Sequence, residues 1–363
     1  MKKRRAFLLA AVMLLALLLP GGAAAAAQTH VLVDGLGRTV EVPVRVERIV
    51  TLGNASRMLT YLGLADRMVS VANGDRTDSL FMAYGVFNQE RWAELPQVAS
   101  GGYGEVNCEA ILALDPDVIL CTYEEDIVAN LERQLGRMVV AAPQGTLFGE
   151  DYEQALRIFG EACGVPDRAE AVIAFIRACL DDLDRRTAEL PETDKPLCLA
   201  AAATFRVGHG ISGVYSNSAV LAAIHARDAA ALLVGTKPKG VEVDREQLLA
   251  WDPDLIVLDA GNLGMVEQEY AADPAFFEQL RAVRTGQLYR WPNNNDNYAN
   301  VEIPLASAYY LGGLLYPEAF SDIDFEAKAA EIFAFFLGHE GYLDLLAEAG
   351  QGYGRVTLGS KGA

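Results

Sequence analysis

The sequence predicts an α/β protein of two lobes, each a parallel-rich sheet flanked by helices, joined by a long spine helix. Three observations carry this. Short apolar strands alternate with helical stretches in both halves of the chain, the pattern of parallel sheets covered by helices. Between the halves, residues 152–190 show no strand signal and repeat their apolar residues at helical spacing. Residues 107–120 (NCEAILALDPDVIL) recur as residues 244–257 (DREQLLAWDPDLIV) at a constant offset of 137.

The chain opens with Lys2, Lys3, Arg4 and Arg5, then runs uncharged from Phe7 to Leu19. Pro20, Gly21 and Gly22 break the run, and Ala23 to Ala27 supply small residues for cleavage. This is the layout of a secretory signal peptide, expected over residues 1–27. The apolar run is shorter than the roughly 20 residues of a bilayer-spanning helix, which disfavours an uncleaved anchor. A lipoprotein needs a Cys directly after that run, but the first is Cys108. A periplasmic protein, not a lipoprotein and not inserted in the membrane after cleavage, is the expectation. The leader holds four of the 30 basic residues and none of the 49 acidic ones, so its removal takes the net charge from −19 to −23. Such a balance excludes nucleic acid as a partner, because phosphates demand a basic face.

The mature chain exceeds what one compact core usually holds. The expected division is a first lobe over residues 28–160, a helical spine over 161–195 and a second lobe over 196–363. In the first lobe, residues 48–52, 68–72, 117–122 and 137–141 read as strands, and a helix runs to Leu62 before Gly63. In the spine, Ala171, Val172, Phe175, Ile176, Cys179, Leu180 and Leu183 keep helical spacing. From residue 197 the alternation resumes. Of the five cysteines, Cys121 and Cys198 read as buried small hydrophobes. An odd count leaves at least one unpaired in a monomer, and no disulfide is indicated.

Each copy of the repeat opens on a helix-capping residue, Asn107 or Asp244, with a glutamate two residues later, Glu109 or Glu246. Each ends its helix at an Asp-Pro-Asp turn and enters an apolar strand. An acidic residue in a first turn is ordinary helix chemistry. Two of them at one offset also make a two-point electrostatic register for a pseudo-two-fold partner.

At this point the chain resembles the iron-chelate/cobalamin class of ABC-importer substrate-binding proteins. Four stretches carry the likeness. They are residues 33–43 (VDGLGRTVEVP) with the following 47–50, the two repeats, residues 300–320 (NVEIPLASAYYLGGLLYPEAF), and residues 328–338 (KAAEIFAFFLG). The resemblance implies that Glu109 and Glu246 dock onto arginines of an ABC-importer permease dimer. It implies a monomeric protein with little hinge motion that delivers an iron chelate, siderophore-like, or a related metal complex. Cobalamin or heme carried by the same mechanism, and a ligand-presenting sensor subunit, remain open.

Ligands in open α/β sheets bind beyond the carboxyl ends of the strands. The loops after the expected strands therefore supply the ligand-binding candidates, weighted towards Arg and aromatic side chains. In the first lobe these are Asn54 and Arg57, with Ser56 between them, then Tyr103 and Tyr123. In the second they are Arg206, His209, Tyr215, Trp291, Asn295 and Tyr298. Arg suits anionic chelates through its planar fork, and aromatic faces suit flat ligand bodies. Each has a plainer reading: Asn54 as a cap, Arg57 as a surface ion pair, Tyr103 as loop packing, the 293–297 amides as turn formers. The four histidines, His30, His209, His225 and His339, share no ligand spacing, so no direct metal site and no cofactor are expected. No phosphate-binding loop, nucleophile elbow or metal-ligand cluster marks an enzyme.

Overall fold

The computed structural model describes residues 28–359, except 73, 78, 101–104, 232, 234, 236–238 and 294–299. The expected leader lies outside the described residues. A hairpin of β1 (Thr29–Val33) and β2 (Thr39–Pro43) precedes the first lobe. That lobe runs β3 (Ile49–Leu52), α1 (Ala55–Tyr61), β4 (Val71–Ala72), α2 (Ala83–Trp92), β5 (Gln97–Ala99), α3 (Cys108–Ala113), β6 (Val118–Cys121), α4 (Glu125–Leu135) and β7 (Val140–Ala141). Strands β3, β6 and β7 pair parallel in that order, and β4 pairs parallel with β5 alongside. The strands expected at 68–72 and 137–141 shrink to two residues each, although Met68 still bridges to Ile49.

Helices α5 (Glu150–Ala162) and α6 (Pro166–Thr187) follow. Gly164, at φ +72°, and Pro166 at the first helical position separate them, as the sequence required. The 22 residues of α6 span about 33 Å and form the spine.

The second lobe runs β8 (Leu197–Ala201), β9 (Thr204–Phe205), β10 (Val207–Gly208), β11 (Gly213–Ser216), α7 (Ala219–Ala223), β12 (Arg227–Asp228), β13 (Lys239–Glu242), α8 (Arg245–Trp251) and β14 (Leu255–Asp259). It continues through α9 (Leu263–Ala272), α10 (Pro274–Phe277), α11 (Arg281–Arg284), β15 (Leu288–Trp291), α12 (Glu302–Leu315), α13 (Phe325–Leu337), α14 (Tyr342–Glu348) and β16 (Gly354–Arg355). Its sheet has a parallel centre of β12, β8, β14 and β15, with β11, β13 and β16 antiparallel at the margins.

The repeats occupy corresponding places in separate sheets. Strands β6 and β14 are both central, and residues at the shared offset face the same way. Val118 and Leu120, like Leu255 and Val257, point into one continuous core. Ile119 and Cys121 point into a core private to the first lobe, Ile256 and Leu258 into one private to the second. That is the two-residue period of a strand buried on both faces. Each Asp-Pro-Asp turn begins on a left-handed residue, Asp115 at φ 42° and Asp252 at φ 41°. The third turn residue then holds the neighbouring strand: Asp117 accepts from the Glu47 and Arg48 amides at 2.8 and 2.9 Å, Asp254 from the Leu197 amide at 2.8 Å.

The shared core wraps α6 and reaches into both lobes. Helices α13 and α14, which sequence order assigns to the second lobe, return to pack on the first. Phe336 meets Tyr61 edge-on at 5.0 Å, and Phe335 stacks on Phe175 of the spine at 4.0 Å. Arg168 of the spine fastens the corner, donating to the carbonyls of Tyr61 at 2.9 Å and Phe335 at 2.7 Å. The C-terminal helices thus buckle the two lobes together.

Phe336→Ala should cost about 3–5 kcal/mol, the range for emptying a buried aromatic site. Because that site belongs to the core common to both lobes, urea unfolding followed by circular dichroism and by tryptophan fluorescence should keep one coincident transition at a lower midpoint. Two separated transitions would contradict the common core.

Candidate functional site

The carboxyl end of β14 gathers the densest polar cluster of the second lobe. Asp259, fully buried, accepts from Trp291 Nε1 at 2.8 Å, from the Tyr215 hydroxyl at 2.9 Å and from the Thr204 amide at 3.2 Å. The Thr204 hydroxyl accepts from Asn262 Nδ2 and Asn293 Nδ2, both at 2.8 Å. Among the described residues, Asn293 Oδ1 is buried without a hydrogen-bond partner.

The first lobe repeats the clamp. Thr122, the residue 137 positions before Asp259, accepts the Asn54 amide at 2.9 Å through its hydroxyl. A Cβ on Gly53, at φ +66°, would lie 2.4 Å from that hydroxyl and 3.2 Å from the Tyr123 ring, so only glycine fits the turn. Asn54 is the helix-capping residue of α1 by position, yet its side chain makes no cap bond. It is half-buried, and Tyr123 is buried.

The other expected residues fall in several places. Tyr103, Asn295 and Tyr298 lie outside the described residues. Arg206, at φ 60°, is the exposed turn of the β9–β10 hairpin. His209 follows it, half-buried, its ring stacked on Phe205 at 3.8 Å. Tyr215 and Trp291 meet at Asp259 with their polar atoms turned inward. Arg57, expected in a cleft loop, is instead buried in the joint between the lobes. Burial opposes its charge, but Tyr84, Tyr61, Tyr152 and Glu302 around it outweigh that, and the guanidinium is held above its ordinary pKa.

That joint is a second polar cluster the sequence did not announce. Glu302, fully buried at the start of α12, accepts from the Tyr61 hydroxyl, and burial raises its carboxyl above the usual range. Asp75 accepts from Ser56 at 2.7 Å and from the Ala72 amide at 2.8 Å, and burial again raises it. Glu302 lies inside one of the four resemblance stretches, but nothing in its apolar neighbourhood marked it as a partner for α1. Asp259 was legible in principle, because extending the repeat by two residues past 257 reaches it. Thr204, Asn262 and Asn293 carry no comparable signal.

Glu109 and Glu246 are both exposed, each in the first turn of its helix. Asn107 caps the Ala110 amide at 3.0 Å and Asp244 the Gln247 amide at 2.7 Å. The five cysteines are unpaired, and burial pushes Cys121 and Cys163 up to about 12, which leaves them poor nucleophiles. Among the described residues, no group of three or more His, Cys, Asp or Glu side chains is placed to hold a metal ion, and no helix is long and apolar enough to cross a membrane.

Two α/β lobes braced by a long helix, with polar clusters at their strand ends, define a two-lobed solute-binding architecture. The chain belongs to the periplasmic binding protein family, whose model matches residues 49–295. Proteins of this family serve ABC transporters as their solute-binding components. A periplasmic solute-binding protein from Veillonella parvula superposes with a TM-score of 0.70 at 21% identity, covering 86% of this chain and 94% of that one. The molybdate periplasmic binding protein MolA of Haemophilus influenzae, bound to molybdate, gives 0.65 at 18%, covering 85% and 98%. Helicobacter pylori CeuE in a Ni–His complex gives 0.60 at 15%, covering 88% and 99%. No curated protein sequence matches the chain.

Asp259→Ala would strand the Trp291 indole and the Tyr215 hydroxyl and should cost on the order of 3 kcal/mol in urea unfolding. Asp259→Asn keeps an acceptor for the indole and should cost less than half of that. Equal losses from the two variants would show that the acceptor is not what the site needs.

Proposed function

We propose that this protein is exported by residues 1–27, captures an iron chelate or related metal complex in the periplasm, and delivers it to an ABC-importer permease dimer. The observation that carries the reading is the pair of exposed carboxylates, Glu109 and Glu246. They stand at one offset, on equivalent capped helices that lead into strands of two separate sheets. A permease built from two like subunits presents the complementary pair of basic sites. The ligand side draws support from the family and from the Ni–His complex of the Helicobacter relative. Exposed Arg206 and half-buried Asn54 and His209 are the candidates left accessible to a polar guest at the strand ends, and the guest brings its own metal.

Glu109→Lys and Glu246→Lys together should lower uptake at least tenfold, because a like-charge contact at a docking point costs several kcal/mol. Ligand affinity should stay unchanged. An uptake rate equal to wild type in cells lacking the native copy would overturn docking through these residues.

Thermal-shift measurements on the mature protein should pick out the guest. A ligand at 100 times its dissociation constant stabilises by about 2.7 kcal/mol. Ferric siderophores should give that shift. A shift with corrinoids or heme alone would reassign the ligand within the same delivery role, and no shift with any of the three would reject the metal-complex reading.

A further inference from the structure

One aromatic ring crosses from the first lobe to the second beside the carboxyl end of β14. Phe81 lies in the short segment before α2, half-buried. Its ring rests on Gly261, in the turn Ala260–Asn262 directly after β14. A Cβ built on Gly261 would come within 2.6 Å of Phe81 Cζ and 2.9 Å of Cε2, closer than any carbon pair tolerates. Gly261 is not in the left-handed region, so its backbone would accept any residue. A side chain at this position would have to push the ring aside. Two hydrogen bonds hold the segment from behind. Asn300 Nδ2, just before α12, donates to the Phe81 carbonyl at 2.7 Å, and the Tyr342 hydroxyl of α14 donates to the Leu80 carbonyl. Asn300 is buried, so its amide is held in place against the Phe81 carbonyl.

We propose that Phe81 is an interlobe latch. With the groove empty, its ring seated on Gly261 holds the two sets of strand ends together, and a guest has to lift the ring to enter. The ring sits two residues beyond Asp259, on the strand end where the Asp259–Thr204–Asn262 cluster lies. The spine and the C-terminal helices limit rotation of the lobes at the far side, so the contact at the mouth decides whether the groove is shut. Steric demand and polar anchoring converge on one side chain: glycine makes the seat, and two hydrogen bonds to adjacent carbonyls aim the ring at it. The proposal rests on the ligand-capture reading for its purpose, but not for its test.

The test uses the ligand-free mature protein with Cys108→Ser, which leaves only buried native cysteines. Nitroxides at Ala129→Cys on α4 and Ala271→Cys on α9, both exposed positions, report the distance between lobes by pulsed electron paramagnetic resonance. The latched protein should give one narrow distribution. Phe81→Ala, which removes the ring, and Gly261→Ala, which displaces it, should each add a second population at longer distance. In the double variant the new methyl has nothing to strike, so its distribution should match that of Phe81→Ala alone. Unchanged distributions in both single variants would overturn the latch, as would a Gly261→Ala effect that persists in full without the ring. If Phe81→Ala does not fold, Gly261→Ala still decides, since its backbone tolerates alanine. Loss of the latch would leave the delivery role standing, and failure of the docking reversals would leave the latch standing.

Discussion

The structure depends on one continuous apolar core that runs along the spine helix and belongs to both lobes. Strand residues of one parity, Val118 and Leu120 in the first sheet, Leu255 and Val257 in the second, face it together. The opposite parity faces cores that each lobe keeps to itself. Opening the groove widely would therefore pull aromatic side chains such as Phe335 and Phe336 out of contact with Phe175 and Tyr61. Burying one such side chain is worth roughly 1.5–3 kcal/mol, and several lie at the joint. A two-lobed protein built this way is stiff at its hinge side, and any gating has to happen at the mouth.

The repeated unit is clamped at both ends by polar groups. At the amino end of each central strand, Asp117 or Asp254 takes backbone amides at or just before the start of the adjoining strand. At the carboxyl end, Thr122 or Asp259 takes the amide just beyond that adjoining strand, Asn54 or Thr204. The lobes share this frame but not its chemistry at the carboxyl end. A neutral hydroxyl serves in the first lobe. In the second, a buried carboxylate also gathers an indole and a phenol. The asymmetry gives the second lobe the more demanding polar environment at its strand ends.

Much of this was legible in the sequence because it is local or periodic. The offset of 137 placed the repeats and their capped glutamates in matching positions, and the helical spacing of Val172, Ile176, Cys179 and Leu183 gave the spine. Periodicity does not name packing partners, so the return of α13 and α14 to the first lobe was invisible. The rule that binding residues follow strands singled out Tyr215 and Trp291, which lie within β11 and β15 and meet at Asp259. It could not tell that Asp259 turns their polar atoms inward. Arg57 was placed in a cleft loop because it follows a strand. The short first turn of α1 instead carries it into the joint, where Tyr84 and Glu302, distant in sequence, surround it. Phe81 and Gly261 stand 180 residues apart in the numbering, and nothing in either neighbourhood pointed to the other.

The helices that carry the two carboxylates bury Ile111 and Leu248 in the private cores, and the common core joins those lobes; that bracing is what would let two exposed glutamates act as a single docking register. The most direct measurement is the affinity of the mature protein for its importer in nanodiscs, with Glu109 and Glu246 neutralised singly and together to Gln. The account predicts similar losses from each single change and a double loss near their sum, with all three losses shrinking as salt screens the contact. A loss from one glutamate alone, or none from either, would contradict the matched two-point register.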